Sequence, residues 1–483
     1  MSPENLRYGG GVQATVLNPA VAVIMILAGI LILVLPHRRV IIPFLLTSIL
    51  IPADQILVIG GLHFPVLRVL ILFGILRLVI ARIQGDSIFS GGLNKLDVAM
   101  ILFTITTAVA GILLFRTGQA AIFQFGELYS TFGVYFLLRC LIRDQEDIVR
   151  SIRILGFIMV VLAAVMVCEQ LTKGWNPYNL LGGARGAWSM ERDGIVRAMG
   201  AFQQPIIAGT FGAVAVPLFI GLWAKDSRYR MIALVGIVAA TIVTITAHSS
   251  TCLSAWLAGV FGFCLWPVRS MTRLFRWGIV VILIALQMVM KAPVWNLIAR
   301  LDLSGGSSSW HRYYLIDTCI RHFWDWWLVG TASNANWGWD MWDTANQYVS
   351  YAYRSGALGL ALFIAVIVYG YKYSGWARQA APNKNDQLFL WSLSAALFAY
   401  TMAFIGISLW DQSIVEWYLL LAMIGAIAVP RGQTAQQPDS VAETKPVLSS
   451  TQPIYGVPDA PAVQRRRSLT AQRQILSHRR PTG

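Results

Sequence analysis

The side chains able to act on a phosphorylated or sugar-like substrate crowd into two stretches of this 483-residue chain. Residues 172–203 carry Arg185, Glu191, Arg192, Asp193 and Arg197, followed by Gly200, Phe202, Gln203, Gln204 and Pro205. Arginine suits phosphate because its planar fork of donors stays protonated, although it suits a carboxylate equally well and a long loop tolerates charge without using it. Residues 292–353 carry Arg300, Arg312, Arg321, Asp317, Asp325, Asp340 and Asp343. Between them lie Trp310, Trp324, Trp326, Trp327, Trp337, Trp339 and Trp342, seven of the eighteen tryptophans. Flat indole faces suit the apolar face of a sugar ring, and carboxylates meet its hydroxyls. An aromatic belt at a membrane surface explains the same tryptophans without a ligand. Outside these stretches, Arg68 lies one turn into an apolar segment, where arginine marks a functional or pairing site unless it snorkels to the interface. His248, in Thr246-Ala247-His248-Ser249-Ser250-Thr251, closes another apolar segment. There it reads either as a base or as a hydrogen-bonded structural residue.

The elements that position these residues follow from composition. Apolar and aromatic residues make up 56 % of the chain and charged residues 13 %, about half the charge of a soluble domain. Lipid is the solvent for such a chain. Spans of about 20 apolar residues are expected near 16–36, 40–58, 66–83, 97–115, 119–141, 153–171, 204–223, 231–248, 252–268, 275–291, 354–372, 387–408 and 413–430. The second is interrupted by Pro43, Pro52 and Asp54, so the expected fold is all-α with twelve or thirteen transmembrane helices. The first run reads as a span rather than a cleaved leader, since no basic segment precedes it.

The net charge of +15 reports topology before nucleic-acid binding. Basic clusters at His37-Arg38-Arg39, Arg77 to Lys95, Arg139 to Arg153, Lys225 to Arg230, Arg269 to Arg276 and Lys372 to Lys384 fall in alternate connections, which the positive-inside rule makes cytoplasmic. The loops 172–203 and 292–353 then face the other side. Residues 431–483 hold six prolines and eight Lys+Arg against three Asp+Glu. That composition predicts a disordered cytoplasmic tail, after a transmembrane domain over residues 1–430. The five scattered cysteines form neither a metal-ligand pair nor a disulfide framework. There is no phosphate-binding loop, hydrolase elbow or zinc-protease helix, so any substrate must arrive already activated.

Three stretches together resemble the O-antigen ligase and O-antigen polymerase superfamily of bacterial envelope proteins. Asp343-Thr344-Ala345-Asn346-Gln347-Tyr348, with Gly356-Ala357-Leu358-Gly359-Leu360 beyond it, looks like that superfamily's His-Asn-x-Tyr-Leu element and the Gly-Leu-x-Gly opening of its next span. Arg197-Ala198-Met199-Gly200-Ala201-Phe202 with Pro205 is similar to its Arg-x-x-Gly-x-Phe-x-x-Pro entry to a span. Trp310-His311-Arg312, leading to Trp327-Leu328-Val329-Gly330, resembles its Arg-containing amphipathic stretch, and Thr246 to Ser250 fits its Thr-x-x-Ser-Ser step.

The resemblance implies a fold like the GT-C class of membrane glycosyltransferases and a polyprenyl pyrophosphate-linked oligosaccharide as donor. It implies a metal-independent reaction on the periplasmic face of a bacterial inner membrane, with no cofactor. The partners it implies are the bilayer and other polysaccharide assembly or export proteins. On this reading Arg197 and Arg312 grip the diphosphate, with Arg68, Arg185, Gln203 or Arg321 as helpers, while Asn346 and Tyr348 position donor or acceptor. Ala345 stands where the ligase pattern has its histidine, so Asp343 becomes the nearest candidate base and His248 the second. That departure favours a polymerase of exopolysaccharide, capsule or O-antigen repeats. A ligase passing the glycan to another acceptor and a non-catalytic transporter of lipid-linked sugar are the alternatives.

Overall fold

An apolar segment in lipid must satisfy its own backbone polar groups, and the chain does so almost entirely as helix. The structure is a computed structural model. It describes residues 14–428 except 53, 86–88, 90, 184–190, 193, 301–307, 342 and 411. The expected tail at 431–483 and Arg185 lie outside the described residues.

Fifteen α-helices occur among the described residues: α1 (Pro19–Val34), α2 (Ile41–Leu50), α3 (Val66–Ile83), α4 (Lys95–Phe115), α5 (Gly118–Leu141), α6 (Gln145–Leu171), α7 (Pro205–Lys225), α8 (Arg230–Thr246), α9 (Ser250–Cys264), α10 (Thr272–Val289), α11 (Ser308–Arg321), α12 (Phe323–Trp326), α13 (Gln347–Ala380), α14 (Lys384–Ala403) and α15 (Ser413–Ala426). Five are long and apolar enough to cross a membrane: α4, α6, α7, α8 with the turn before it, and α13. Shorter apolar helices form α1, α9, the later part of α10 and α15. This is the pattern of an all-α polytopic membrane protein.

A helix occupies each of the thirteen stretches expected to span, with one substantial correction. Residues 40–58 do not form one span. Helix α2 stops after ten residues, about 15 Å of rise, half of the ~30 Å hydrocarbon thickness. Past it the chain turns at Pro52 and Asp54 into a hairpin of β1 (Ile56–Ile59) and β2 (Leu62–Pro65). A second, minimal hairpin pairs β3 (Glu191–Arg192) with β4 (Ile195–Val196). The stretch 292–353 likewise has structure of its own, a 3-10 helix at Val294–Arg300 followed by α11 and α12.

Hydrogen bonds gather the connections at two opposite ends, as the charge pattern separates them. At one end His37 Nε2 donates to Cys140 O at 3.3 Å, Asn94 Nδ2 to Gly425 O at 3.1 Å, and Lys225 meets Asp386 at 2.9 Å. At the other, Asn18 Nδ2 donates to Leu180 O at 3.3 Å, and Gln412 Nε2 donates to both Ile51 O and Ala201 O at 2.9 Å. Helix α7 runs through the centre, packed on α8, α9 and α14. It is buried along nearly its whole length. Small residues on α7 allow the close approach that association between membrane helices relies on. The candidate site lies at the second end, where α8 turns into α9.

Candidate functional site

Helix α8 ends at Thr246 and α9 begins at Ser250, so the turn between them exposes both kinds of helix terminus. A C-terminus leaves carbonyl oxygens without partners in the helix, and an N-terminus leaves N–H groups and the positive end of a dipole. Residues from three distant parts of the chain use these groups. Thr246 O accepts from Ala198 N at 3.0 Å and from Gln170 Nε2 at 3.0 Å. Ala247 O accepts from Arg197 Nε at 3.2 Å. Across the turn, Arg312 Nη2 donates to Thr251 Oγ1 at 2.5 Å. Both guanidinium groups act electrostatically on Cys252 in the first turn of α9, so the two arginines share one helix N-terminus. His248, within the turn, has φ of 43°, a left-handed conformation uncommon for a residue with a side chain and costly enough to need a reason.

Arg197 is fixed by the chain on either side of it. One Glu169 carboxylate oxygen, near the end of α6, accepts from Met199 N and Gly200 N at 3.0 Å each. Asn176 Nδ2 donates to Gly200 O at 2.7 Å. Gly200 has φ of 59°, the left-handed bend that carries the chain from Arg197 into α7, and glycine adopts it without strain.

Arg312 and its neighbour His311 sit on α11. His311 Nε2 lies 3.1 Å from the main-chain oxygen of Asp343. A carbonyl only accepts, so Nε2 is the donor and the lone pair of the neutral ring is on Nδ1. That Nδ1 is shut off from solvent and has no hydrogen-bond partner among the described residues, an arrangement that costs about 1–3 kcal/mol.

Asp343 leads into α13 and is exposed. Desolvation by the groups packed around it pushes its carboxyl above the usual range. Asp340 adds to the rise, and His311, the Ala345 N–H and Arg312 oppose it. At His248, burial and then the Arg197 cation hold the imidazole below its ordinary value, so the neutral form is favoured.

The remaining residues picked out in the sequence divide into supports and outliers. Asn346 caps α13, its Oδ1 accepting from Val349 N at 3.1 Å and its Nδ2 donating to Ile405 O at 3.1 Å. Tyr348 donates its hydroxyl to Thr401 O at 3.0 Å. Both bind main chain, and they tie the start of α13, just past Asp343, to the end of α14. Gln203 donates to Asp54. Arg68 lies in the seam between α3 and α5, donating to Ser130 Oγ at 2.9 Å and His63 O at 3.0 Å and pairing with Glu127 at 3.3 Å. Arg321 is exposed and pairs with Asp317 at 2.8 Å. It follows Arg312 by nine residues of α11, about 13.5 Å of rise, so it does not reach the turn.

The tryptophans divide as well. Trp326 and Trp337 are buried in a small cluster of their own, Trp337 stacked on His322 at 5.2 Å. Trp324 and Trp339 are exposed, at 78 % and 76 %. Trp342 lies outside the described residues.

Sequence reasoning missed three members of this site. Thr251 lies one residue past the Thr-to-Ser step. His311 stands beside Arg312, and nothing in the local sequence shows that it reaches Asp343. Glu169 had a usable signal, an acid inside an apolar run, which demands a buried partner. Taken together, the turn presents two guanidinium groups and a helix N-terminus to one spot, with a carboxylate and an imidazole at its flank. Such a spot favours a multiply charged anion. No protein-family model matches the chain, and no curated protein sequence matches it.

Proposed function

We propose that the protein is a membrane glycosyltransferase that polymerises lipid-linked oligosaccharide repeats, carried on a polyprenyl diphosphate, at the periplasmic face of a bacterial inner membrane. The observation that carries this reading is that Arg197 and Arg312, distant in sequence, flank one turn, Arg197 on the Ala247 carbonyl that closes α8 and Arg312 on Thr251 in the first turn of α9. In the reaction the bond between the anomeric carbon and the diphosphate oxygen breaks, and an acceptor hydroxyl oxygen bonds to that carbon. The hydroxyl proton passes to a base, and the lipid diphosphate leaves with increased negative charge. Two preplaced cations and the α9 dipole oppose that charge as it develops, which is the arrangement that lowers such a barrier most effectively. The basic connections gathered at the opposite end of the helices favour placing the arginine end outside the cytoplasm. The exposed Trp324 and Trp339 of the same long connection suit contact with sugar rings or with the membrane surface.

The experiment is complementation of a deletion strain with Arg197→Ala and Arg312→Ala. Removal of one charge-stabilising donor from such a site costs about 10²–10³ in rate, so extracellular polymer should fall to trace while lipid-linked repeats accumulate. Wild-type yield and chain length from both variants, at normal protein abundance, would refute the reading.

A further inference from the structure

Three groups near the α8–α9 turn have the chemistry to accept a proton: His248, the Asp343 carboxylate and His311. His248 carries its ring beside the Arg197 cation. Protonating it there would set two positive charges against each other with no carboxylate among the described residues acting on the ring, whereas the Asp343 carboxylate acts on His311 beside Arg312. The Asp343 carboxylate is exposed and already accepts the N–H of Ala345. His311 differs from both. Its Nε2–H is committed to the Asp343 carbonyl at 3.1 Å, which fixes the tautomer and the ring plane. Its Nδ1 is enclosed and without a partner among the described residues. The Asp343 carboxylate lies close enough to interact electrostatically with the ring.

We propose that His311 is the general base of this site: Nδ1 takes the proton of the acceptor hydroxyl as that oxygen bonds to the anomeric carbon. The assignment rests on the polymerase reading above. The Asp343 main-chain oxygen orients the ring, and the Asp343 carboxylate stabilises the imidazolium that forms, the division of labour expected of a base and its orienting partner. Arg312, next in sequence, points its guanidinium at Thr251, so one turn of α11 presents the proton acceptor and one of the two diphosphate-binding cations together. The proton moves from hydroxyl to imidazole while the electron pair of the breaking bond leaves with the lipid diphosphate, and the charges balance across the site.

The test separates base from prop by substitution with glutamine, whose side-chain amide places an N–H where Nε2–H lies and supplies no basic nitrogen. Cells lacking the native gene and carrying His311→Gln, His311→Ala, Arg197→Ala or Arg312→Ala are compared for incorporation of radiolabelled sugar into extracellular polymer. Protein abundance is read in the same membranes. Loss of general-base catalysis lowers the rate by about 10²–10⁴, so His311→Gln is expected to lose about a hundredfold or more while accumulating in the membrane as the wild type does. Wild-type incorporation by His311→Gln, with both arginine variants inactive, overturns the base assignment and leaves the polymerase reading intact. Incorporation lost in His311→Ala and restored in His311→Gln overturns it too, in favour of a positioning role. Undiminished incorporation by all four variants overturns both proposals.

Discussion

A substitution that replaces neither arginine gives the sharpest check on the geometry of the turn. Gly406 is buried just past α14, its N–H bonded to Ala403 O at 2.8 Å. A Cβ added there would fall 2.8 Å from Arg312 Nε and 2.9 Å from both Cγ2 and Oγ1 of Thr251. Ordinary contact begins at 3.4 Å. Gly406→Ala therefore displaces the arginine, the threonine or both by about 0.6 Å, a shift of the kind that loses up to about 10²-fold in rate when it reaches a reacting group. The backbone itself is not left-handed at this position, so the variant should fold, with the overpacking costing about 1–3 kcal/mol. The expected result is polymer synthesis reduced about ten- to a hundredfold at near-normal protein abundance. Gly375→Ala, where an added Cβ meets nothing within 4 Å, is the matched control and should leave synthesis unchanged. Synthesis by Gly406→Ala within twofold of wild type would show that the Arg312–Thr251 contact does not position a group that matters.

Two further outcomes follow from the same geometry. Arg321→Ala should leave polymer synthesis at the wild-type level and lower stability by about 1–3 kcal/mol, because it takes one partner from the buried Asp317 carboxylate, which keeps the Trp295 Nε1 donor at 3.1 Å; a complementation assay with thermal unfolding in detergent reads both. Arg197→Gln should raise the His248 pKa toward the ordinary histidine value of 6.5, since the Arg197 cation, after burial, is one of the two causes that depress it. A depressed histidine favours the folded state only while neutral, so its contribution is present above about pH 6.5 and is lost as the pH falls through the folded value. Titration of ¹⁵N-histidine resonances reads the shift, and a His248 pKa that stays put in Arg197→Gln would contradict the contact.

The fold was legible wherever one physical rule dominated. Long apolar runs must be helical in lipid, and a helix does occupy every stretch they mark. The exception at 40–58 failed for a reason present in the residues: Pro52 and Asp54 follow the run, and beyond them Gly60-Gly61 turns a hairpin in which both glycines have positive φ. Mean apolarity ranked the segment as a span while its punctuation did not. The site was legible in part. Arg197 and Arg312 stand out in sequence because charge is scarce around them, and the structure brings them to one turn. Asn346 and Tyr348 stand out in the same way, yet their polar atoms bind Ile405 O, Val349 N and Thr401 O. A conspicuous polar residue at a helix entrance is explained by capping as readily as by ligand contact. His311 was not legible as a site residue, because its partner, the Asp343 carbonyl, is a main-chain atom far along the chain; Glu169 signalled a buried partner as an acid in an apolar run, but the amides it binds, those of Met199 and Gly200, are of a kind every residue type offers.

The electrostatics of the turn explain why so much of the surrounding hydrogen bonding goes into holding it. Two like charges beside the positive end of a helix repel one another, and in a low-dielectric surround that repulsion is weakly screened. Left to themselves, Arg197 and Arg312 would swing apart into solvent. Instead Arg197 is anchored by the Ala247 carbonyl at the C-terminus of α8, where oxygens favour cations, and its loop is riveted by Glu169, Asn176 and Gln170. Arg312 donates to the Thr251 hydroxyl in the first turn of α9. Both side chains are thereby held in place before any ligand arrives, so on the proposed reading a diphosphate would meet donors that need no reorganisation.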